Sequence, residues 1–215
     1  MEGNKQVIEE TRTLSGYTEI EISGNFEVEL VQGIAGKINI MAESNMLEHI
    51  VTEVQKGSLR IEVAKKMNLK PNEQIKITVP FEELEEIVMS GSGNLHSKKP
   101  IEARKFEVKK SGSGNMYLSI DASRSLAITK SGSGNIEVDG KTKKLSLISS
   151  GSGDFKNEKF VADQVDIKLS GSGQIYLTCK DELSEKVSGS GNVKYKGNPS
   201  KKDIKTSGSG KVEKL

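Results

Sequence analysis

The tetrapeptide SGSG begins at Ser90, Ser111, Ser131, Ser150, Ser170, Ser188 and Ser207, with successive offsets of 21, 20, 19, 20, 18 and 19 residues. A flexible linker has no reason to recur at this spacing with alternating apolar runs in between. The period therefore reads as a structural repeat. Five and three residues before the first Ser stand Phe106 and Val108, Leu126 and Ile128, Leu145 and Leu147, Val165 and Ile167. The next copy keeps Leu183 but breaks the rule with Glu185. After the tetrapeptide the alternation resumes: Met116, Leu118 and Ile120; Ile136 and Val138; Ile175, Leu177 and Cys179; Val193 and Tyr195. Such period-2 patterning on both sides predicts two short strands per repeat, apolar side chains inward and Lys, Glu or Thr outward. One unit is too small to bury its own face. Copies stacked about 4.8 Å apart in a parallel ladder share a continuous, narrow core. The expected fold is all-β: a parallel β-helix or β-solenoid with about 20 residues per coil.

The SGSGN segments become the corners of that coil. The expected corner residues are Gly91, Gly93 and Asn94; Gly112, Gly114 and Asn115; Gly132, Gly134 and Asn135; Gly151 and Gly153; Gly171 and Gly173; Gly189, Gly191 and Asn192; Gly208 and Gly210. Asp154, Gln174 and Lys211 replace Asn in the remaining copies. A residue without Cβ lets every stacked coil turn sharply at the same place. Asn tolerates left-handed backbone and can hydrogen-bond along a ladder. On the far side of each coil, DASRS, DGKTKK, KNEKFVADQ and KGNPSKKD read as variable loops suited to recognition.

Residues 1–88 lack the regular period and read as an N-terminal β region that packs on residues 89–215 and caps the solenoid, since an open end is an unpaired sheet edge. Segments 17–22, 37–42, 51–55, 58–64 and 74–80 read as strands, partly antiparallel, and ISGNFEVELVQG resembles a half-length repeat. Lys56-Gly57 reads as a hairpin turn. Ser44–Ile50 has N-cap residues ahead of helically spaced apolar ones and predicts one short helical turn. In the last repeat, Lys211, Glu213 and Lys214 place charge where end-to-end pairing would occur.

Composition agrees with a thin core: 33% hydrophobic residues and no Trp. The 32 basic and 30 acidic residues leave a net charge of +2, which gives no steering toward nucleic acid. A single cysteine, Cys179, rules out an intrachain disulfide. No apolar run approaches the roughly 18 residues of a membrane helix. The polar start MEGNKQVIEE carries no export signal, as in a cytosolic chain or a mature domain trimmed of its signal.

The stretch LSGYTEIEISGNFEVELVQG, followed by NMLEHIVTEVQKGSLRIEV and then repeated SGSGN, resembles the head GIN domain of auto-transporter adhesins, from about Gln6 onward. The resemblance implies a β-helix-like fold. It also implies export, often behind a lipoprotein-type signal, to the cell envelope, in the periplasm or on the outer-membrane surface, with the signal trimmed here. It implies an adhesin-like role and supplies no catalytic residues.

Parallel β-helices can act on polysaccharides, so clustered carboxylates matter. Here Glu137, Asp139, Asp154, Asp163 and Asp166 are spread over different repeat positions. His49 and His96 lack partners at metal spacing and read as surface histidines, while Cys179 reads as a small core residue. SGSGN leads into a strand rather than a helix, which a phosphate cradle needs. A calcium roll needs a nine-residue period with Asp, and this period is twice that. No catalytic, cofactor or metal residue is assigned. The stacked stripe of small polar residues is either a solvated corner or a docking face for a glycan or protein. The expected function is therefore that of a non-enzymatic exported envelope protein, an adhesin or binding module. The alternatives are a self-assembling envelope scaffold, with homo-oligomers, and a polysaccharide-active β-helix enzyme.

Overall fold

The computed structural model describes all 215 residues except the side chain of Glu158. In chain order the strands are β1 (Val7–Thr13), β2 (Glu19–Ser23), β3 (Glu27–Gln32), β4 (Lys37–Glu43), β5 (Ile50–Gln55), β6 (Ser58–Val63), β7 (Lys76–Phe81), β8 (Glu86–Ser90) and β9 (Asn94–Ser97). They continue as β10 (Ile101–Lys110), β11 (Asn115–Lys130), β12 (Ile136–Gly151), β13 (Phe155–Gly171), β14 (Gln174–Gly189), β15 (Asn192–Lys196), β16 (Lys201–Gly208) and β17 (Val212–Lys214). Strands hold 67% of the residues, and the one helical element is a 3-10 turn at Leu47–His49.

These strands wind into a β-solenoid of about six coils, with two ladders joined at the SGSG corners. Ahead of the corners the order is β5-β6-β2-β8-β10, the later halves of β11 to β14, then β16. After the corners it is β1-β4-β7-β3-β9, the earlier halves of β11 to β14, then β15 and β17. All pairings are parallel except β1–β4, β4–β7 and β5–β6. The parallel ladder thus runs through the N-terminal residues as well: β2 and β3 already form the two sides of a coil, bent at Ser23-Gly24 in register with Ser90-Gly91.

Register explains the core. Leu59, Ile20, Ile87, Val108, Ile128, Leu147 and Ile167 stack directly over one another, all buried. Each contributes roughly 1.5–3 kcal/mol by leaving water. The segments DASRS, DGKTKK and KNEKFVADQ are not loops. They lie inside β11, β12 and β13, where the coil bends through register shifts such as Ala122/Ser125 rather than leaving the sheet. A bulge bends a strand within its sheet with only the extra residue unpaired, and in β12 the bend carries Gly140 at φ +120°. KGNPSKKD alone contains a break, between β15 and β16.

The antiparallel elements close the N-terminal end. Arg12 of β1 reaches across it, donating from Nη1 to Ile50 O at 2.5 Å and from Nη2 to Leu47 O at 2.7 Å. Glu43, fully enclosed, accepts from the Lys5 and Asn72 backbone amides and the Asn72 side chain. The Asn72 side chain and these amides hold its carboxyl below the ordinary carboxylate range. Lys56 (φ 52°) and Gly57 (φ 84°) make the two-residue hairpin between β5 and β6. The 3-10 turn starts at Met46 without a side-chain cap, because Ser44 instead accepts from Asn4 Nδ2 at 2.8 Å.

Glu185 breaks the apolar column that ends with Ile167 below it and Ile204 above. It is 2% exposed, and among the described residues neither carboxylate oxygen has a hydrogen-bond partner. Burial pushes its pKa up to about 7. A carboxyl whose folded pKa lies above its unfolded value binds more protons when folded, so stability is full below about pH 4.5 and falls as pH rises through 7. The penalty at pH 8 is on the order of 3 kcal/mol. Glu185→Leu should therefore raise Tm at pH 8 by several degrees and much less at pH 5, as thermal melts at the two pH values would show. Equal gains at both would refute a buried ionised carboxylate.

Candidate functional site

The SGSG segments stack at the bend between the two ladders. At Gly112 the backbone has φ +90°, and a Cβ there would stand 2.4 Å from the Gly91 carbonyl oxygen of the preceding coil. A Cβ on Gly114 would collide with Gly93 O in the same way. The pattern repeats from Gly132 and Gly134 through Gly151, Gly153, Gly171, Gly173, Gly189 and Gly191 to Gly208 and Gly210, and begins where Gly91 and Gly93 approach Gly24 and Phe26. The corner amides are turned along the solenoid: Ser113 and Gly114 donate to Gly91 O, Gly134 to Gly112 O, Gly191 to Gly171 O and Gly210 to Gly189 O. Amides committed in this way cannot cradle a phosphate.

The neighbouring Asn column does the same with side chains. Asn94 Oδ1 accepts the Asn115 amide at 3.2 Å, Asn115 Oδ1 that of Asn135 at 3.0 Å, and Asn135 Oδ1 that of Asp154 at 2.8 Å. Asp154 Oδ1 accepts from Gln174 at 2.9 Å, and Asn192 Oδ1 from Lys211 at 2.9 Å. Each Asn or Asp side-chain oxygen in these links thus pairs the first backbone donor of the next coil, while Gln174 Oε1 instead accepts from the Asn192 side chain at 3.2 Å.

Sequence reading missed two lysines beneath the corners. Lys110 and Lys130 immediately precede SGSG, stack in register, and are 3% and 0% exposed. Lys110 Nζ donates to Gly112 O at 3.3 Å, and Lys130 Nζ to Gly153 O at 2.5 Å. Burial, then the neighbouring Lys130 charge, lowers the Lys110 pKa to about 8. Burial lowers Lys130 too, opposed by Asp154. Strict alternation already put this position inward, beside Met89, Leu169 and Val187 in other copies.

Outward, two residues after the Asn column, lies a row that alignment of the repeats could have shown: Glu29, His96, Tyr117, Glu137, Lys156, Tyr176, Lys194 and Glu213. His96 and Tyr117 stack with ring centroids 4.8 Å apart and planes within 7°. Lys194 Nζ lies 5.9 Å from the Tyr176 ring, within cation–π range. His96 Nε2 meets Glu27 Oε1 at 2.6 Å, and Glu27 also accepts from Asn94 and Gln74. Lys98 pairs with Glu29 at 2.6 Å. Together Glu27, Glu29, His96, Ser97, Lys98 and Tyr117 line an open groove of about 390 Å³. Carboxylates, an ammonium and ring edges here can hydrogen-bond and pack against a ligand.

The remaining sequence candidates do not converge. His49 sits 3.5 Å from Glu48 in the 3-10 turn, far along the ladder from Cys179. Cys179 is buried, its Sγ 3.1 Å from Glu182 O, and burial pushes its pKa up to about 11. Asp154 belongs to the side-chain ladder, Asp163 pairs with Lys180 at 3.5 Å, Glu137 and Asp139 share the outward face of β12, and Asp166 lies on β13 in the other ladder. Among the described residues no group of three or more His, Cys, Asp or Glu is placed to hold a metal ion. An open groove of about 1020 Å³ beside β10 mixes Glu83, Glu85, Glu102 and Asp121 with Arg104 and Lys105.

The corner geometry makes a direct prediction. Gly112→Val and Gly114→Val should each cost well over the roughly 1 kcal/mol of an average substitution, whereas Ser113→Ala, at an exposed position, should cost little. Chemical denaturation of the three variants checks this, and an unchanged midpoint for either valine variant would mean that the coils are not stacked at the glycines.

No curated protein matches the sequence. Solved structures do. A putative adhesin from Bacteroides fragilis superimposes with a TM-score of 0.95 over 100% of both chains at 20% identity. A structure described as a putative lipid binding protein from Parabacteroides distasonis gives 0.79 at 25% identity, over 100% of this chain and 99% of that one. A putative adhesin from the same species gives 0.72 at 19% identity, with the same coverage. The family described as "Putative auto-transporter adhesin, head GIN domain" matches residues 16–199, and with its solenoid and repeated corners the chain belongs to that family.

Proposed function

We propose that this chain is a non-enzymatic binding module of the bacterial envelope, exported from the cytoplasm, that engages a surface glycan through the outward row centred on His96 and Tyr117. The observation that carries this reading is the division of labour at the corner. Corner amides and Asn side chains are spent on neighbouring coils, while the adjacent outward row offers aromatic, acidic and basic side chains to solvent, with Tyr117 40% exposed. A glycan suits a groove in which carboxylates can accept hydroxyl protons and ring edges can pack against sugar C–H groups. Membership of an adhesin family and the adhesin names of related structures support binding and an envelope location. No helix among the described residues is long and apolar enough to cross a membrane. The corner glycines are the scaffold of this site, not its contact surface.

The test is direct binding of the purified chain to a glycan array, with extracellular proteins and lipid vesicles as parallel arms. Glycan binding should fall about tenfold or more in Tyr117→Ala, which removes exposed contact area while leaving Tm within about 2 °C. Retained binding in that variant moves the site elsewhere. Binding only to proteins or vesicles overturns the ligand class, and release of new reducing ends from a polysaccharide overturns the non-enzymatic reading.

A further inference from the structure

The two ends of the solenoid are built differently. At the C-terminal end, β16 pairs only with β14 and β17 only with β15. Their outer edges are unpaired backbone, and β16 is exposed along its whole length. Ile204 continues the inward core column but is 40% exposed, because no coil lies above it. At the N-terminal end, β5 pairs only with β6 and β1 only with β4, and Val7 and Ile8 of β1 are 42% and 48% exposed. Each ladder thus ends in a strand paired on one side only, with uncovered apolar surface at Ile204 in one ladder and at Val7 and Ile8 in the other, and with the Ile50 carbonyl of β5 taken by Arg12.

The ends carry opposite charge, although the whole chain is nearly neutral. Residues 1–95 hold nine Lys and Arg against sixteen Glu, and residues 96–215 hold 23 against fourteen acids. The last coil, from Asn192 onward, has seven lysines against Asp203 and Glu213. The edge elements of the other end present Glu9, Glu48 and Glu53, while Glu10 is paired with Arg12 Nε at 2.6 Å and the Arg12 guanidinium also donates to the Leu47 and Ile50 carbonyls. Eleven strands in the longer run of pairing put the ends roughly 48 Å apart at ladder spacing. That exceeds the ~8–10 Å over which salt screens charge, so an approaching molecule meets one end at a time.

From this juxtaposition we infer that the partner of each end is the opposite end of a second copy of this chain, stacked head to tail. Strand direction permits it. β5 runs opposite to its ladder, so β16 of one copy meets β5 of the next as an antiparallel pair. β1 runs with its ladder, because two antiparallel steps through β4 restore the direction, so β17 meets β1 as a parallel pair. Stacking covers Ile204 at one end and Val7 and Ile8 at the other. Like ends repel, since pairing two C-terminal coils sets lysine on lysine. A contact between unlike surfaces that adds each copy along the solenoid axis does not return on itself, so the product is an open series rather than a two-fold dimer. This inference is independent of the ligand proposed above.

Sedimentation of the 215-residue chain tests it. At about 20 mM salt the weight-average mass should rise with concentration past the dimer, and at about 500 mM salt it should return to the monomer. Two charge-reversed variants provide the specific check: Glu9→Lys/Glu48→Lys/Glu53→Lys, with both ends basic, and Lys202→Glu/Lys205→Glu/Lys214→Glu, with both ends acidic. Each alone should stay monomeric at low salt, and their mixture should associate again, which also shows that both are folded. A wild-type chain that is monomeric at all concentrations, a dimer that grows no further, or variants that self-associate like the wild type would overturn the inference. If a variant fails to fold by circular dichroism, the salt and concentration dependence of the wild-type chain still decides.

Discussion

Every coil of this molecule depends on backbone passing over backbone at the corner, so closely that no side chain fits between. The collision awaiting a Cβ on Gly112 or Gly114 is with the carbonyl of the coil below, not with a movable side chain. That contact sets the axial rise at the corner, and through it the register of both ladders. With the register set, Val108 must lie over Ile87 and under Ile128, and the core follows. The hydrophobic term is large in sum, but without the corner it would not select one register over its neighbours.

The polar groups near the corner obey the same constraint. An amide that turns along the axis needs an acceptor one coil away, and carbonyls and Asn side chains supply them in series. Lys110 and Lys130 are a less obvious solution. Their stems fill core volume while their ammonium groups reach carbonyls of the bend. A buried cation is tolerable there because it donates to a carbonyl of the bend; Glu185 lies where none of the described donors reaches it. The contrast shows that inward position alone does not determine the cost of a buried charge. Local dipoles do.

Much of this architecture was legible in the sequence, because a stacked fold writes the same constraint into every repeat. The SGSG spacing, the alternation around it and the Lys56-Gly57 hairpin all carry local signals. What was not legible lacks such a signal. The bends inside β11 to β13 are register shifts within continuous strands, while DASRS and DGKTKK look like loops by composition. β1 reads as a polar stretch, VIEETRT, because only one face of that strand meets protein. That β2 and β3 join β8 and β9 across an excursion of four strands is a long-range fact that no local pattern encodes. In the candidate site, His96 and Tyr117 are 21 residues apart and become neighbours only through register, so the pair is visible in repeat alignment but not along the chain.

The side-chain ladder from Asn94 to Lys211 has one further consequence. Each link joins a coil only to the next, and every rung connects in the same way except the one from Gln174 to Asn192, which runs side chain to side chain. Adding or deleting one whole repeat would leave the remaining rungs as they are and change only the distance between the two ends. Length is therefore a quantity that evolution can adjust in steps of about 4.8 Å without redesigning the core. For a protein that must hold a contact at a fixed height above a surface, the number of coils is a molecular ruler.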